Sequence, residues 1–176
     1  MDEIRLCAPS MAYALQVMQF RAEILQSDDT DRFAGCSKLE SCDTMKQWLE
    51  VVERLRFPET VPVGSVPADT YLAVRKSDGC LVGIIDLRHH IDHPILSVWG
   101  GHMGYTVRPS ERGKGYAKEM LRLNLQNSRK RGIPRVLLTC SAVNLPSERV
   151  ILANGGVWER DVAIEGETIR RFWIEL

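Results

Sequence analysis

Hydrophobic and polar positions change period along this chain. After a short apolar stretch at residues 3–7, predicted as a strand, Met11, Leu15, Met18, Ala22 and Leu25 recur at helical spacing, with Pro9 near the first turn of the expected helix. Met45, Trp48, Leu49, Val52 and Leu55 mark one face of a second helix. The proline-rich segment 57–70 breaks the pattern and reads as a loop. Beyond it the period becomes that of strands. "TYLAVR" and "CLVGIIDLR" flank "KSDG" as a hairpin, and "SVWGGHMGYTV" reads as a third strand, bent or bulged at its glycines. A helix over about 114–131 turns Ala117, Met120, Leu121, Leu125 and Ser128 inward and stops at Gly132 and Pro134. "RVLLTCS" is the most buried-looking strand, a short helix starts near Leu145, and "GGVWERDVAI" and "TIRRFWIEL" form a terminal hairpin. Helices, a meander and a strand–helix–strand unit predict one α/β domain on a mixed sheet.

Composition narrows the function classes. Lys plus Arg and Asp plus Glu both number 23, so no global field points to nucleic acid or an anionic membrane. The start lacks a signal-peptide pattern and no apolar run would span a bilayer, so a cytoplasmic location is expected. Five cysteines form no C-x-x-C pair and suit no closed disulfide set. His89, His90 and His93 with Cys80 have no ligand spacing, so no metal is expected.

The chemistry concentrates in "VRPSERGKGYAKEML", residues 107–121, where two glycines and two cations stand at a helix start. A Walker A loop fails, because Arg108 and Gly115 occupy its glycine and hydroxyl positions. A Rossmann fingerprint fails at Lys118 and lacks its acidic residue after the next strand. What remains is an uncapped helix N-terminus whose N–H groups at 113–117 would converge on a pyrophosphate, or glycines that merely make a tight turn.

These residues resemble the GCN5-related N-acetyltransferase (GNAT) superfamily. "RGKGYA" fits its Gln/Arg-x-x-Gly-x-Gly/Ala signature at Arg112, Gly115 and Ala117, and "NLPSERVILANGGVWE" is similar to its Asn-x-x-Ser/Ala helix. The likeness covers residues 70–176 well, the N-terminal helices by order only, and is closest to a bacterial subgroup. It implies a mostly antiparallel, twisted α+β sheet of about six or seven strands and four helices, with a splayed parallel strand pair. Residues 1–60 would form the acceptor side and 70–176 the coenzyme A-binding core.

The resemblance further implies acetyl-CoA as co-substrate. Tyr105 and Val107 would bind its pantetheine arm, and Arg112, Gly113, Lys114, Gly115, Tyr116 and Ala117 its pyrophosphate. Asn144 and Ser147 would contact the cofactor arm, although Asn144 is equally a helix N-cap. The reaction would be direct transfer to an amine. The family tyrosine that protonates the thiolate is replaced by aliphatic Val150 and Ile151, leaving Tyr105, Tyr116, Cys140 or water as donor. His102 is the expected base and Glu111 an expected solvated loop residue.

On the acceptor side, Asp28, Asp29, Asp31, Glu40 and Asp43 would favour a cationic amine, unless Ser37 and Glu40 are only a capping box. Arg88, His89 and His90 would instead favour a carboxylate. The apolar strand "RRFWIEL" would suit pairing across a homodimer, and a non-catalytic acetyl-CoA sensor is the alternative function.

Overall fold

The computed structural model describes residues 2–28 and 32–176. Its elements run β1 (Ile4–Cys7), a 3-10 turn (Met11–Tyr13), α1 (Ala14–Leu25), α2 (Met45–Arg56), β2 (Ala68–Arg75) and β3 (Leu81–Arg88). A π turn (Leu96–Gly100) follows, then β4 (Tyr105–Val107), α3 (Tyr116–Lys130), β5 (Arg135–Ser141), α4 (Leu145–Leu152), β6 (Val157–Ile164) and β7 (Glu167–Glu175). Every ladder is antiparallel, and the strands form two sheets, β1-β2-β3-β4 and β5-β7-β6. This is the expected seven-stranded α+β fold.

Strand alternation assigns the layers. Leu72, Val74 and Ile84 pack with Val17, Phe20 and Ile24 of α1 and Met45, Trp48 and Val52 of α2. Ala73 and Ile85 point the other way, onto Tyr116 and Met120 of α3. A third cluster joins Leu121 and Leu125 of α3, Ile151 of α4, and Val136, Leu138, Phe172 and Ile174 of the second sheet.

Five expectations are corrected. The helix over α1 is real, but Met11, Leu15 and Leu25 are exposed while Val17, Phe20 and Ile24 are buried. Two apolar stripes compete on this helix, and the one carrying its only aromatic ring wins the core. Its start is also later than Pro9 suggests, because a 3-10 turn intervenes. The long third strand shrinks to β4, since residues 96–100 coil into a π turn. Ser37 is no N-cap: it sits in the left-handed region at φ 48° and its hydroxyl meets that of Thr70 at 2.6 Å. The capping box belongs to Thr44 and Gln47. Finally, "RRFWIEL" lies in β7, paired on both sides by β5 and β6, so it offers no edge to a second copy.

Leu87 of β3 and Met103 pack on the second sheet, and His102 ties the two sheets together by hydrogen bonds at their margin. His102 donates its backbone N–H to the Leu137 carbonyl at 2.8 Å, and its Nδ1 accepts the Leu137 N–H at 2.9 Å. The imidazole thus replaces a strand carbonyl. The 89–101 segment is fastened to the second sheet as well, with Thr139 Oγ1 donating to the Trp99 carbonyl and buried Arg171 to those of Ser97 and Val98. Beyond His102 the ladder stops, and among the described residues β4 has no strand partner opposite β3.

The loop between α1 and α2 seals the same region from the other face. A Cβ on Gly35 would lie 1.9 Å from the Gly104 carbonyl oxygen, so the two backbones touch. Thr106 Oγ1 donates to the Ala34 carbonyl at 2.8 Å and Trp48 Nε1 to that of Cys36 at 2.8 Å. Gly35→Ala is expected to cost about 3 kcal/mol or more in urea denaturation, through both clash and positive φ. Gly64→Ala, at φ +80° with open space around it, should cost only about 1–2 kcal/mol. Equal losses at the two sites would contradict the contact.

Burial pulls the His102 imidazole from its usual 6.5 down to about 4. A lowered folded value means that the unfolded chain binds the extra proton between those limits. The contribution is therefore full above pH 6.5 and is lost as pH falls towards 4, about 3 kcal/mol in all. His102→Asn keeps an acceptor for Leu137 but does not titrate. Denaturation from pH 7 to 4 should show the wild type losing that extra stability and the variant not.

Candidate functional site

β4 opens where the sheets part. The Asp86 N–H donates to the Gly104 carbonyl, the Arg88 N–H to the His102 carbonyl, and the Arg108 N–H to the Val82 carbonyl. Residues 102, 104 and 108 therefore face β3, and by alternation the backbone groups of Tyr105 and Val107 face the gap. Two side chains shape this opening. Asp86 Oδ1 accepts the Gly104 N–H at 2.6 Å, while the Asp86 carbonyl accepts from Asn124 Nδ2 of α3 at 2.9 Å. Arg88 donates to the carbonyls of Gly100 and Gly101 and pairs with Asp86 at 3.2 Å. Its guanidinium is committed to the scaffold, not to an acceptor carboxylate. A single aspartate inside the apolar run "GIIDLR" was the available signal for this network.

From β4 the chain enters a 3-10 turn over Pro109–Glu111 and then a cradle. Gly113 and Gly115 have φ of 74° and 88°, a region that side-chain-bearing residues occupy only with strain. Gly115 caps α3 without a side-chain hydrogen bond, leaving the N–H groups of the first turn aimed outward. A Cβ at Gly113 would meet nothing within 4 Å, so the space over the turn is open. The donors, the helix dipole and this space fit an anionic group of pyrophosphate size.

The cations around the cradle are held, not loose. Arg112 Nε donates to the Val107 carbonyl at 3.2 Å, which places this guanidinium on the free edge of β4. Lys114 Nζ reaches Glu111 at 3.0 Å, and Arg75 of β2 reaches the same carboxylate at 2.9 Å. Glu111 is thus a buried brace rather than the solvated residue expected. Burial pushes its carboxyl up, but the hydrogen bond from Lys114 and the charge of Arg75 outweigh that and hold it below the usual range. Tyr116 is also buried, its hydroxyl accepting from Arg75 at 3.2 Å. Only its backbone can serve an anion. Ala117 is half-buried one position on.

Across the gap, the Tyr105 and Ser147 hydroxyls share a hydrogen bond of 2.7 Å, linking β4 to α4. The Ser147 N–H in turn donates to Asn144 Oδ1 at 3.1 Å, so Asn144 does cap α4. Burial raises the Tyr105 phenol above its usual value and keeps the proton on oxygen. Cys140 is buried in the cluster beneath α4. Val150 and Ile151 are the aliphatic residues the sequence indicates, and Ile151 is in the core.

The remaining expected residues disperse. With Nδ1 accepting from Leu137, neutral His102 carries its proton on Nε2 and has no free lone pair for a base. His89 turns to Asp69, and His90 accepts the Asp92 N–H. Among the described residues no His, Cys, Asp and Glu side chains cluster as a metal site. Of the acidic stretch, Asp29 and Asp31 lie outside the described residues. Asp28 and Glu40 are exposed, and Asp43 pairs with Arg21 at 3.4 Å. Phe33, Cys36, Leu39 and Cys42 are core residues, which makes residues 33–42 a packed plug more than a charged rim.

The fold recurs in known proteins. No curated protein matches the sequence. Among solved structures, the chain is similar to RimL, a ribosomal L7/L12 α-N-protein acetyltransferase in complex with coenzyme A. That match has a TM-score of 0.67 at 16% identity and covers 98% of this chain and 94% of the other. The microcin C7 self-immunity acetyltransferase MccE, in complex with acetyl-CoA and AMP, also gives 0.67 at 16%, covering 100% and 94%. A spermidine N-acetyltransferase SpeG chimera from Vibrio cholerae and hSSAT gives 0.65 at 13%, covering 98% and 95%. At these identities the likeness is one of fold. The sequence model of the acetyltransferase (GNAT) domain matches residues 14–157, and on that ground the chain belongs to the GNAT acetyltransferase family.

Proposed function

We propose that the protein is an acetyl-CoA-dependent N-acetyltransferase acting on a primary amine. The observation that carries this is the contiguity of the free β4 edge with the open cradle at α3. A ligand with a pyrophosphate at one end and amides along its arm matches both at once. The N–H groups over 113–117 would hold the pyrophosphate, with Arg112 beside it. The outward backbone groups of Tyr105 and the Val107 N–H would take the pantetheine amides as an added strand would be taken, with the Val107 carbonyl exchanging its bond from Arg112 for one from the ligand or keeping it. Acetyl-CoA supplies an acetyl group activated as a thioester.

The side chains divide the work. The Tyr105 hydroxyl, kept protonated by burial and oriented by Ser147, is the donor this chain offers to a departing thiolate. It stands in for the tyrosine that Val150 and Ile151 displace. An N–H on the open edge of β4 would stabilise the oxyanion. His102 serves as a structural joint, so the acceptor ammonium loses its proton to solvent. Holding two reactants together in the wedge supplies the larger part of the acceleration. The aliphatic face of α4 favours a second reading, an acetyl-CoA sensor that transfers nothing.

A panel of amines (amino acids, polyamines, aminoglycosides and peptides with free N-termini) separates the two when CoA release is followed with a thiol reagent. Release with one amine class supports the enzyme. Thermal stabilisation by acetyl-CoA without release on any amine supports the sensor, and no stabilisation at all removes both. Gly115→Val should abolish acetyl-CoA binding through its positive φ. Tyr105→Phe should lower kcat by about 100-fold while leaving the KM for acetyl-CoA nearly unchanged. A Phe variant with full kcat would move the donor role elsewhere.

A further inference from the structure

At the opposite end of the first sheet lies a cavity of about 390 Å³ lined by Arg56, Phe57, Asp69, Tyr71, His89 and Arg131. Arg131 directly follows α3, whose fifteen residues put it about 22 Å along the helix from the cradle at Gly115. The cavity is therefore separate from the proposed coenzyme site.

Its charges do not balance internally. Asp69 is the one carboxylate in the lining. It accepts from Arg131 Nη2 and lies 3.2 Å from His89 Nε2. Burial pushes its carboxyl up, but the hydrogen bonds from His89 and Arg131 prevail, and it stays ionised. Arg56 is left over. Its nearest carboxylates, Glu53 at 3.9 Å and Asp69 at 4.0 Å, are beyond hydrogen-bonding distance, and among the described residues its guanidinium makes no hydrogen bond to protein. It rests 5.4 Å from the centroid of the Phe57 ring, stacked and half-exposed at the mouth. Arg131 also keeps part of its guanidinium in solvent. Two permanent cations and an imidazole thus surround one carboxylate, with the donors of Arg56 unspent and an aromatic wall beside them.

We propose that this cavity is a binding site for a small oxyanion, a carboxylate or phosphate on a compact body that lies against Phe57 and Pro58. Arg56 and Arg131 would clamp the anion in the bidentate manner guanidinium favours. The volume is at the lower end of small-molecule sites. A ligand here would bridge the end of α2, the start of β2 and the end of α3, and so brace the helix whose other end forms the cradle. The proposal does not depend on the acetyltransferase reading.

The test is thermal denaturation of the full chain titrated with orthophosphate or malonate, against chloride at equal ionic strength. Stabilisation by either anion is expected, with phosphate alone pointing to a phosphate ester and malonate alone to a carboxylate. Arg56→Gln should weaken the apparent affinity about ten-fold, the loss of one charge-assisted hydrogen bond, without changing stability in chloride. Arg56→Lys should lie between. Lys114→Gln, in the cradle, should leave the stabilisation intact. The proposal is overturned if neither anion stabilises beyond chloride, if Arg56→Gln responds as the wild type does, or if the response disappears in Lys114→Gln instead.

Discussion

The architecture turns on one backbone N–H that finds an imidazole in place of a carbonyl. Leu137 would normally donate to a neighbouring strand; here it donates to His102 Nδ1, while the His102 N–H returns the bond to the Leu137 carbonyl. That pair links the sheets by hydrogen bonds at their margin and, by using side chain for main chain, ends the ladder there. Everything downstream needs this ending. A continuous β4–β5 ladder would consume the Tyr105 and Val107 backbone groups and leave the cradle at Gly115 with no groove leading to it.

Asp86 uses the same device on the other side of β4, since its carboxylate takes the Gly104 N–H that its own carbonyl would take in a regular ladder. The released carbonyl is claimed by Asn124, tying α3 to the irregularity. Burial raises the Asp86 carboxyl, offset in part by Arg88, which also grips Gly100 and Gly101. The wedge is a set of polar substitutions, each one satisfied. Among the described residues no buried side-chain nitrogen or oxygen lacks a partner.

Much of this was legible in the sequence because the signals were local. Periodicity located α2, α3 and the terminal hairpin, and the glycine–cation cluster marked the positive-φ turn that starts α3. What failed were features decided at long range. The α1 stripe with Met11 and Leu15 is as periodic as the stripe with Phe20, and only the partner surface of Leu72 and Ile84 chooses between them. Glu111 reads as solvated until Arg75, thirty-six positions earlier, is brought to it. Gly35 looks like an ordinary loop glycine, since nothing in "DRFAGCSK" announces that Gly104 will press on it. His102 carries a chemically plausible role in one dimension and a structural one in three.

If the cradle holds the proposed pyrophosphate, the pairing of Lys114 with Glu111 bears on how it would recognise charge. Its most obvious cation is already neutralised by a carboxylate that is itself anchored to Arg75. What the loop presents outward is mainly a cone of oriented N–H dipoles, with a modest net charge behind it. Recognition by dipoles falls off faster with distance than recognition by free charge, so the loop would attract anions weakly from afar and grip them firmly on contact. Such a site would favour a ligand guided in by its whole length, and would select by shape more than by ionic attraction.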